Sequence, residues 1–230
     1  TVGDGRSAET ARAAREAAAA GYPAVKVKVG ARSLETDLER LSAVREACPG
    51  VELRADANGA WDRATAREAL PGLARLDVAY VEQPLAAPDL AGHADLRGGC
   101  VGIALDESLA EASVDEALAA GAADVLVLKP MALGGPGRAR RAAVRARKVG
   151  VEPVVTTTID GSLARAATVH VAASIPDVRA CGLATASWLA DDLTEADPAP
   201  VEDGRVRVPS EPGNVGSAGS AGSPGPAGSR

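Results

Sequence analysis

Charged residues recur at one place in a repeating pattern: Lys26 and Lys28 in AVKVKVG, Asp56 in VELRADANG, Glu82 in VAYVEQPL, Asp106 in VGIALDESL and Lys129 in DVLVLKPMALGG. All but Lys26 come where a short apolar run gives way to a loop-forming stretch. Side chains alternate along a strand, so Lys26 and Lys28 share one face while Val25, Val27 and Val29 take the other. Two ammonium groups side by side repel and are costly to desolvate. Such a pair needs water, as on an edge strand guarded against aggregation, or opposite charge close by. The three carboxylates supply that charge. Neighbouring parallel strands lie about 4.8 Å apart, so carboxylates at similar heights on adjacent strands converge on one point. A hard divalent cation is their natural partner, because like charges left unpaired raise each other's pKa values. Mg2+ is expected, with Mn2+ as the alternative, leaving coordination positions for water or a substrate oxygen. Lys28 and Lys129 are then expected to face each other across the metal. The competing reading is scattered surface acids in a chain that has 31 Asp and Glu residues.

These positions need strands to hold them, and strand and helix patterns alternate along the chain. Helices are predicted in SAETARAAREAAAAGY, capped by Ser7 and stopped by Gly21, and in SLETDLERLSAVREACPG, where Leu34, Leu38, Leu41 and Val44 share a face. Further helices are predicted in DRATAREALPGLARLD, APDLAGHADLRGG, SVDEALAAGAA, GRARRAAVRARKVG and SLARAATVHVAAS. The five lysine- and acid-bearing strands are followed by two more, in VEPVVTTTIDGS and VRACGLATASWL. Strands joined by helices make a parallel sheet. Seven of them suit an eight-stranded α/β barrel lacking its first strand, with Thr1-Val2 as the end of that strand. The active site of such a barrel lies at the C-terminal ends of its strands, where the charged residues fall. The barrel is expected over residues 1–192. A segment over 193–213, with a short strand at Arg205 to Val208, is expected to pack outside it, and 214–230 reads as a flexible Gly/Ser/Pro-rich tail.

The composition excludes several classes of function. A net charge of -6 over 230 residues argues against a nucleic-acid surface. No apolar stretch approaches the roughly 20 residues that span a bilayer, and the first residues do not resemble a signal peptide. Cys48, Cys100 and Cys181 are odd in number and lack metal-ligand spacing, which fits a reduced compartment. A cytoplasmic protein without a membrane or nucleic-acid partner is therefore expected. Its oligomeric state is not legible.

The set KVKV, RADANGAW, VEQPL, ALDESL and LKPMALGG, in that order, resembles the muconate-lactonizing branch of the enolase superfamily, and within it most closely the o-succinylbenzoate synthase family of menaquinone biosynthesis. The likeness runs from about residue 2 to about residue 192. It implies a TIM-type, (β/α)7β-like barrel, here without the family's N-terminal capping domain and without most of the first strand. It also implies Asp56, Glu82 and Asp106 as metal ligands, Lys28 as the acid/base and Lys129 as its counterpart. The shared chemistry is removal of a proton alpha to a carboxylate. The base must be neutral to accept that proton, so its pKa has to fall from about 10.4, and Lys26 is expected to tune and position Lys28. For the synthase reaction the likeness implies that Lys28 takes the alpha proton of 2-succinyl-6-hydroxy-2,4-cyclohexadiene-1-carboxylate and then protonates the departing hydroxyl. N-succinylamino acid racemases of the same branch use both lysines as bases, and the same residues serve either reaction. Dipeptide epimerases of the branch carry an acidic D-x-D where this chain has Thr185-Ala186-Ser187. The alternative outside enzymology is an inactive barrel that binds a ligand.

Asn58 shares the face of Asp56 and is expected to bond a ligand carboxylate or the substrate, or to serve only as a turn former. Glu107 faces away from Asp106 and is expected to support it indirectly. Thr157, Gly161 and Ser162 are expected to meet an anionic substrate tail at a helix start; the same residues also suit a cap by Asp160 or Ser162. His93 and His170 are read as structural, and the basic helix at Arg138 to Lys148 as a solvated face. ALGGPG matches neither a P-loop nor a dinucleotide fingerprint.

Overall fold

A chain that alternates strand and helix stacks its strands in chain order, and the computed structural model, which describes residues 1–3, 5–194 and 197–210, follows that rule. Strands β1 (Ala24–Lys28), β2 (Glu52–Asp56), β3 (Val78–Glu82), β4 (Gly102–Leu105), β5 (Val125–Leu128) and β6 (Glu152–Val155) form one parallel sheet in that order. The sheet curls into a half-barrel. Helices α1 (Ser7–Ala19), α2 (Leu34–Ala47), α3 (Arg63–Arg75), α4 (Leu90–Leu96), α5 (Ser108–Glu111), α6 (Val114–Ala119), α7 (Pro136–Lys148) and α8 (Ser162–Ala173) complete the repeat. The N-terminal expectation holds in part: Val2 forms one parallel bridge with Val27. The last expected strand shrinks to a single bridge between Gly182 and Thr156, followed by a 3-10 turn at Ala186–Trp188. Among the described residues that stretch bridges β6 alone, and its Gly, Ala and Thr residues offer little apolar area to pack. Among the described residues no helix is long and apolar enough to cross a membrane.

The apolar layers follow from the strand period. Val25, Val27, Leu53, Ala55 and Val81 point outward and pack with Leu41, Val44 and Leu73 of the helices. Leu126 and Leu128 pack likewise against Ala139, Ala142 and Ala146, a small-residue face at helical spacing on α7. Inside the curl lie Tyr80, Ala104, Val125, Val127 and Val154. α2 is capped by Ser33, which accepts the N–H of Thr36 at 3.3 Å, and α3 by Asp62, which accepts that of Thr65 at 2.7 Å. At α1 the cap is Arg6 rather than Ser7, because the Glu9 carboxylate reaches back to the Arg6 N–H at 2.9 Å.

A fully buried pair on α2 ties down the loop after β1. Arg40 donates to Asp37 at 2.7 Å, to the Lys28 carbonyl at 2.8 Å, and to the carbonyls of Gly3 at 2.6 Å and Gly5 at 2.8 Å. The second Asp37 oxygen accepts the Gly30 N–H at 2.6 Å. Gly30 has φ of 89°, and a Cβ there would stand 2.7 Å from that of Ala60, so only glycine fits the turn.

The C-terminal segment packs against α8 and the turn between α1 and β1, and Val201, Gly204, Val206 and Val208 line one cavity with Arg54 and Tyr80. Arg165 of α8 pairs with Asp197 and donates to the Ala199 carbonyl at 2.8 Å. Strands β7 (Val201–Glu202) and β8 (Arg205–Val206) form an antiparallel hairpin. Its Asp203-Gly204 turn lies against Gly21, where a Cβ would meet the Asp203 carbonyl oxygen at 2.5 Å. The expected tail over 214–230, and residues 211–213 of the preceding segment, lie outside the described residues.

Candidate active site

Strand register brings the charged residues together. Lys28 pairs with Asp56, Asp56 with Glu82, and Glu82 with Ala104; Asp106, two residues beyond Ala104, keeps the same face. Asp56 and Glu82 are each 1% exposed and Asp106 7%. Lys28 Nζ donates to Asp56 Oδ2 at 2.7 Å and to Asn58 Oδ1 at 2.6 Å. Lys26 Nζ lies 2.9 Å from the same Asp56 oxygen and reaches both Glu82 oxygens, at 2.7 and 2.8 Å. Lys129 pairs with Asp106. Three ammonium groups thus face three carboxylates, which is how a strand can carry two lysines on one face without unfavourable burial.

Burial and partners pull the charges in different directions. Burial disfavours the ammonium of Lys26, but Glu82 and then Asp56 outweigh it and hold its pKa above the ordinary lysine range. Lys26 is therefore a fixed positive charge at neutral pH. Burial also works against the Asp56 carboxylate, yet Lys26 and Lys28 bring its pKa below the usual value. At Glu82 burial wins: despite Lys26, and with the charge of Asp56 adding to the effect, the carboxyl is pushed up to about 7. Asp106 is raised for the same first reason, against the pull of Lys129.

Among the described residues, no cluster of three or more His, Cys, Asp or Glu side chains is drawn together around a cation position. Lys26 and Lys129 stand on the carboxylate oxygens instead. The donor chemistry nevertheless suits a hard dication, since Asp56, Glu82 and Asp106 offer only carboxylate oxygens and burial leaves two of them short of compensating charge. A cation bound there would compete with Lys26 and Lys129 for these oxygens.

A cavity of about 790 Å3 opens over this cluster, lined there by Lys26, Lys28, Glu82, Lys129 and Thr157. Asn58 lies beside it, with its amide donating to Glu107 at 2.8 Å and its backbone N–H to Asp56 Oδ1 at 3.1 Å. The hydroxyl of Thr157 donates to the Gly182 carbonyl at 3.1 Å and stands 2.9 Å from that of Thr185. Gly161 precedes α8 as its cap residue, and the Ser162 N–H donates to Asp192 at 2.8 Å. Asp192 was not singled out from sequence; its carboxylate sits where an anionic substrate tail was expected. His93 is fully buried among loop groups, and His170 lies on α8, away from the charged cluster.

Residues 9–214 match the family described as Enolase C-terminal domain-like. The chain belongs to that family. Enolase superfamily enzymes generally use a divalent metal. This member is 41% identical over 195 residues to a Thermobifida fusca protein named o-succinylbenzoate synthase, covering 82% of this chain and 60% of the relative. It is 36% identical over 197 residues to a Thermus thermophilus protein named N-succinylamino acid racemase, covering 84% and 52%. Its fold superimposes on the L-Ala-D/L-Glu epimerase of Bacillus subtilis with a TM-score of 0.85 at 28% identity, over 94% of this chain and 62% of the epimerase. The chain thus spans between half and two thirds of the length of these relatives.

Proposed function

We propose that this chain carries the proton-transfer site of an o-succinylbenzoate synthase acting in menaquinone biosynthesis in the cytoplasm. The observation that carries the reading is the 41% identity to the Thermobifida fusca protein of that name, and the lysine–carboxylate cluster supplies matching chemistry. Asp56, Glu82 and Asp106 would hold Mg2+, or Mn2+ in its place. Bound there, such a cation would supply charge stabilisation for a substrate carboxylate as its alpha proton leaves. Lys28, more than a third exposed to the cavity, takes the alpha proton of 2-succinyl-6-hydroxy-2,4-cyclohexadiene-1-carboxylate. The same Lys28 returns a proton to the C6 hydroxyl, the C–O bond breaks, water leaves and the ring becomes aromatic. Lys26 stays charged, a fixed ammonium beside Asp56 and Glu82 beneath the base. Lys129 keeps its ammonium and stabilises the anion from the far side. Asn58, Thr157, Gly161 and Ser162 meet the polar ends of the substrate, its tail displacing Asp192 from the Ser162 N–H.

The cation reading is tested by calorimetric titration of the chain with Mg2+. Asp56→Asn and Glu82→Gln should each abolish the binding heat; Glu82→Gln should leave the fold intact, because burial already favours the neutral form of Glu82, whereas Asp56→Asn should also cost some stability, because Lys26 and Lys28 lose a shared counter-charge. Unchanged affinity in both variants refutes the assignment.

The Thermus thermophilus relative supports a second reading, racemisation of N-succinylamino acids with Lys28 and Lys129 as paired bases. Lys129→Arg separates the two. A guanidinium is never deprotonated in proteins, so a two-base racemase loses one face, whereas a dehydratase keeps the charge it needs. In the full-length protein the variant is expected to spare dehydration more than racemisation. Efficient racemisation by the variant overturns the one-base scheme.

A further inference from the structure

Glu82 and Asp106 sit on neighbouring strands, and the residue after Glu82 connects them. Gln83 is fully buried and has φ of 42°, a left-handed conformation that is strained for a non-glycine residue. Its backbone is held on both sides: its N–H donates to the Ala104 carbonyl at 2.8 Å, and its carbonyl accepts the Gly59 N–H at 2.7 Å. Its side-chain Oε1 accepts the N–H of Asp106 at 3.0 Å and that of Ser108 at 3.1 Å. Strand β4 ends at Leu105, so the Asp106 N–H lies beyond the named strand and the Gln83 side chain takes the place of a neighbouring strand.

The other end of the amide fixes its orientation. Nε2 stands 2.7 Å from Ser108 Oγ, 3.0 Å from the Leu85 carbonyl and 3.3 Å from His93 Nε2. The Ser108 hydroxyl donates to the Ala87 carbonyl at 2.7 Å, so it accepts from Gln83. His93 Nδ1 lies 2.7 Å from the Asp89 carbonyl, which can only accept, so Nδ1 carries the proton and Nε2 is an acceptor. Burial lowers the pKa of His93 and favours that neutral form. A flipped Gln83 amide would aim its N–H groups at those of Asp106 and Ser108. Every polar atom of the side chain is thus satisfied in one arrangement, the condition under which a buried network rigidifies its surroundings.

We propose that Gln83 is a positioning residue that holds Asp106 and Glu82 at a set separation: its amide fixes the first through the backbone, and its own left-handed turn orients the second. The role in cation binding rests on the reading of both carboxylates as ligands. The test compares Gln83→Met, which keeps the volume and loses the amide, with Gln83→Glu, whose buried carboxyl stays protonated and retains an acceptor oxygen. Two quantities are read in the full-length protein: amide hydrogen exchange at Asp106 and Ser108 without metal, and Mn2+ affinity by calorimetry. In Gln83→Met both amides should exchange faster while those of β1 and β2 do not, and Mn2+ affinity should fall by about 10–100-fold, as for other groups that orient metal ligands. Gln83→Glu should restore both. Unchanged exchange at Asp106, or faster exchange with undiminished Mn2+ affinity, overturns the proposal. If the unaltered protein binds no Mn2+, the ligand reading fails, and the exchange measurement decides separately whether Gln83 holds Asp106. Should the methionine variant not fold, Ser108→Ala removes the nearest of the three acceptors around Nε2, and slow Asp106 exchange in that variant is the overturning result.

Discussion

Lys28→Ala is expected to lower turnover of the full-length protein by about 10²–10⁴-fold, the usual contribution of a positioned acid–base group, and to suppress exchange of the substrate's alpha proton with solvent deuterium. Stability should change little. Lys26 remains on Asp56 at 2.9 Å, so the buried carboxylate keeps a counter-charge. Lys28 is also more than a third exposed, and partly exposed pairs contribute about 0–1 kcal/mol. Single-turnover kinetics with a deuterium-exchange readout check this. Alpha-proton exchange at the unaltered rate would remove Lys28 from the role of base.

The largest effect on stability is expected at a residue outside the charged cluster. Arg40→Leu leaves Asp37 buried without its partner and frees the carbonyls of Gly3, Gly5 and Lys28. Breaking such a pair from one side costs about 3–5 kcal/mol, a large share of a domain's usual margin of about 5–15 kcal/mol. Urea unfolding should show the midpoint move strongly to lower denaturant. The double variant Asp37→Leu, Arg40→Leu should recover only part of the loss, because the carbonyls and the Gly30 N–H stay unpaired. A single-variant loss below about 1 kcal/mol, the scale of a surface pair, would show that the network is not a structural anchor.

The order of strands and the shared face of Lys26 and Lys28 were legible in the sequence because both rest on period alone. The burial of Val25 and Val27 opposite the lysines is that period made visible. The bonding partners were not legible. That Lys26 spans Asp56 and Glu82, and that Lys129 meets Asp106, depends on register across strands separated by whole helices. Arg40 left a faint signal, a charged i,i+3 pair with Asp37 beside Leu41 and Val44 on the buried side of α2. Gln83 left none, since neither its left-handed backbone nor the amide of Asp106 beyond β4 can be read from residue types. His93 was read as structural, and its place among the Gln83 contacts supplies the physical content of that reading. The last strand forms only one bridge because its Gly, Ala and Thr residues bring too little apolar area to hold a ladder against β6.

Because Asp56 and Glu82 end their strands on the inward face, chemistry and substrate choice are open to different kinds of genetic change. A one-residue deletion between Val78 and Glu82 would turn the carboxylate toward the helices and Val81 into the interior, so the strands tolerate almost no change in length. The loops that begin immediately afterward carry no such phase. Insertions there can reshape the entrance while the ladder keeps every acid and amine in place, so a change of substrate is open to the loops where a change of reaction would need the strands.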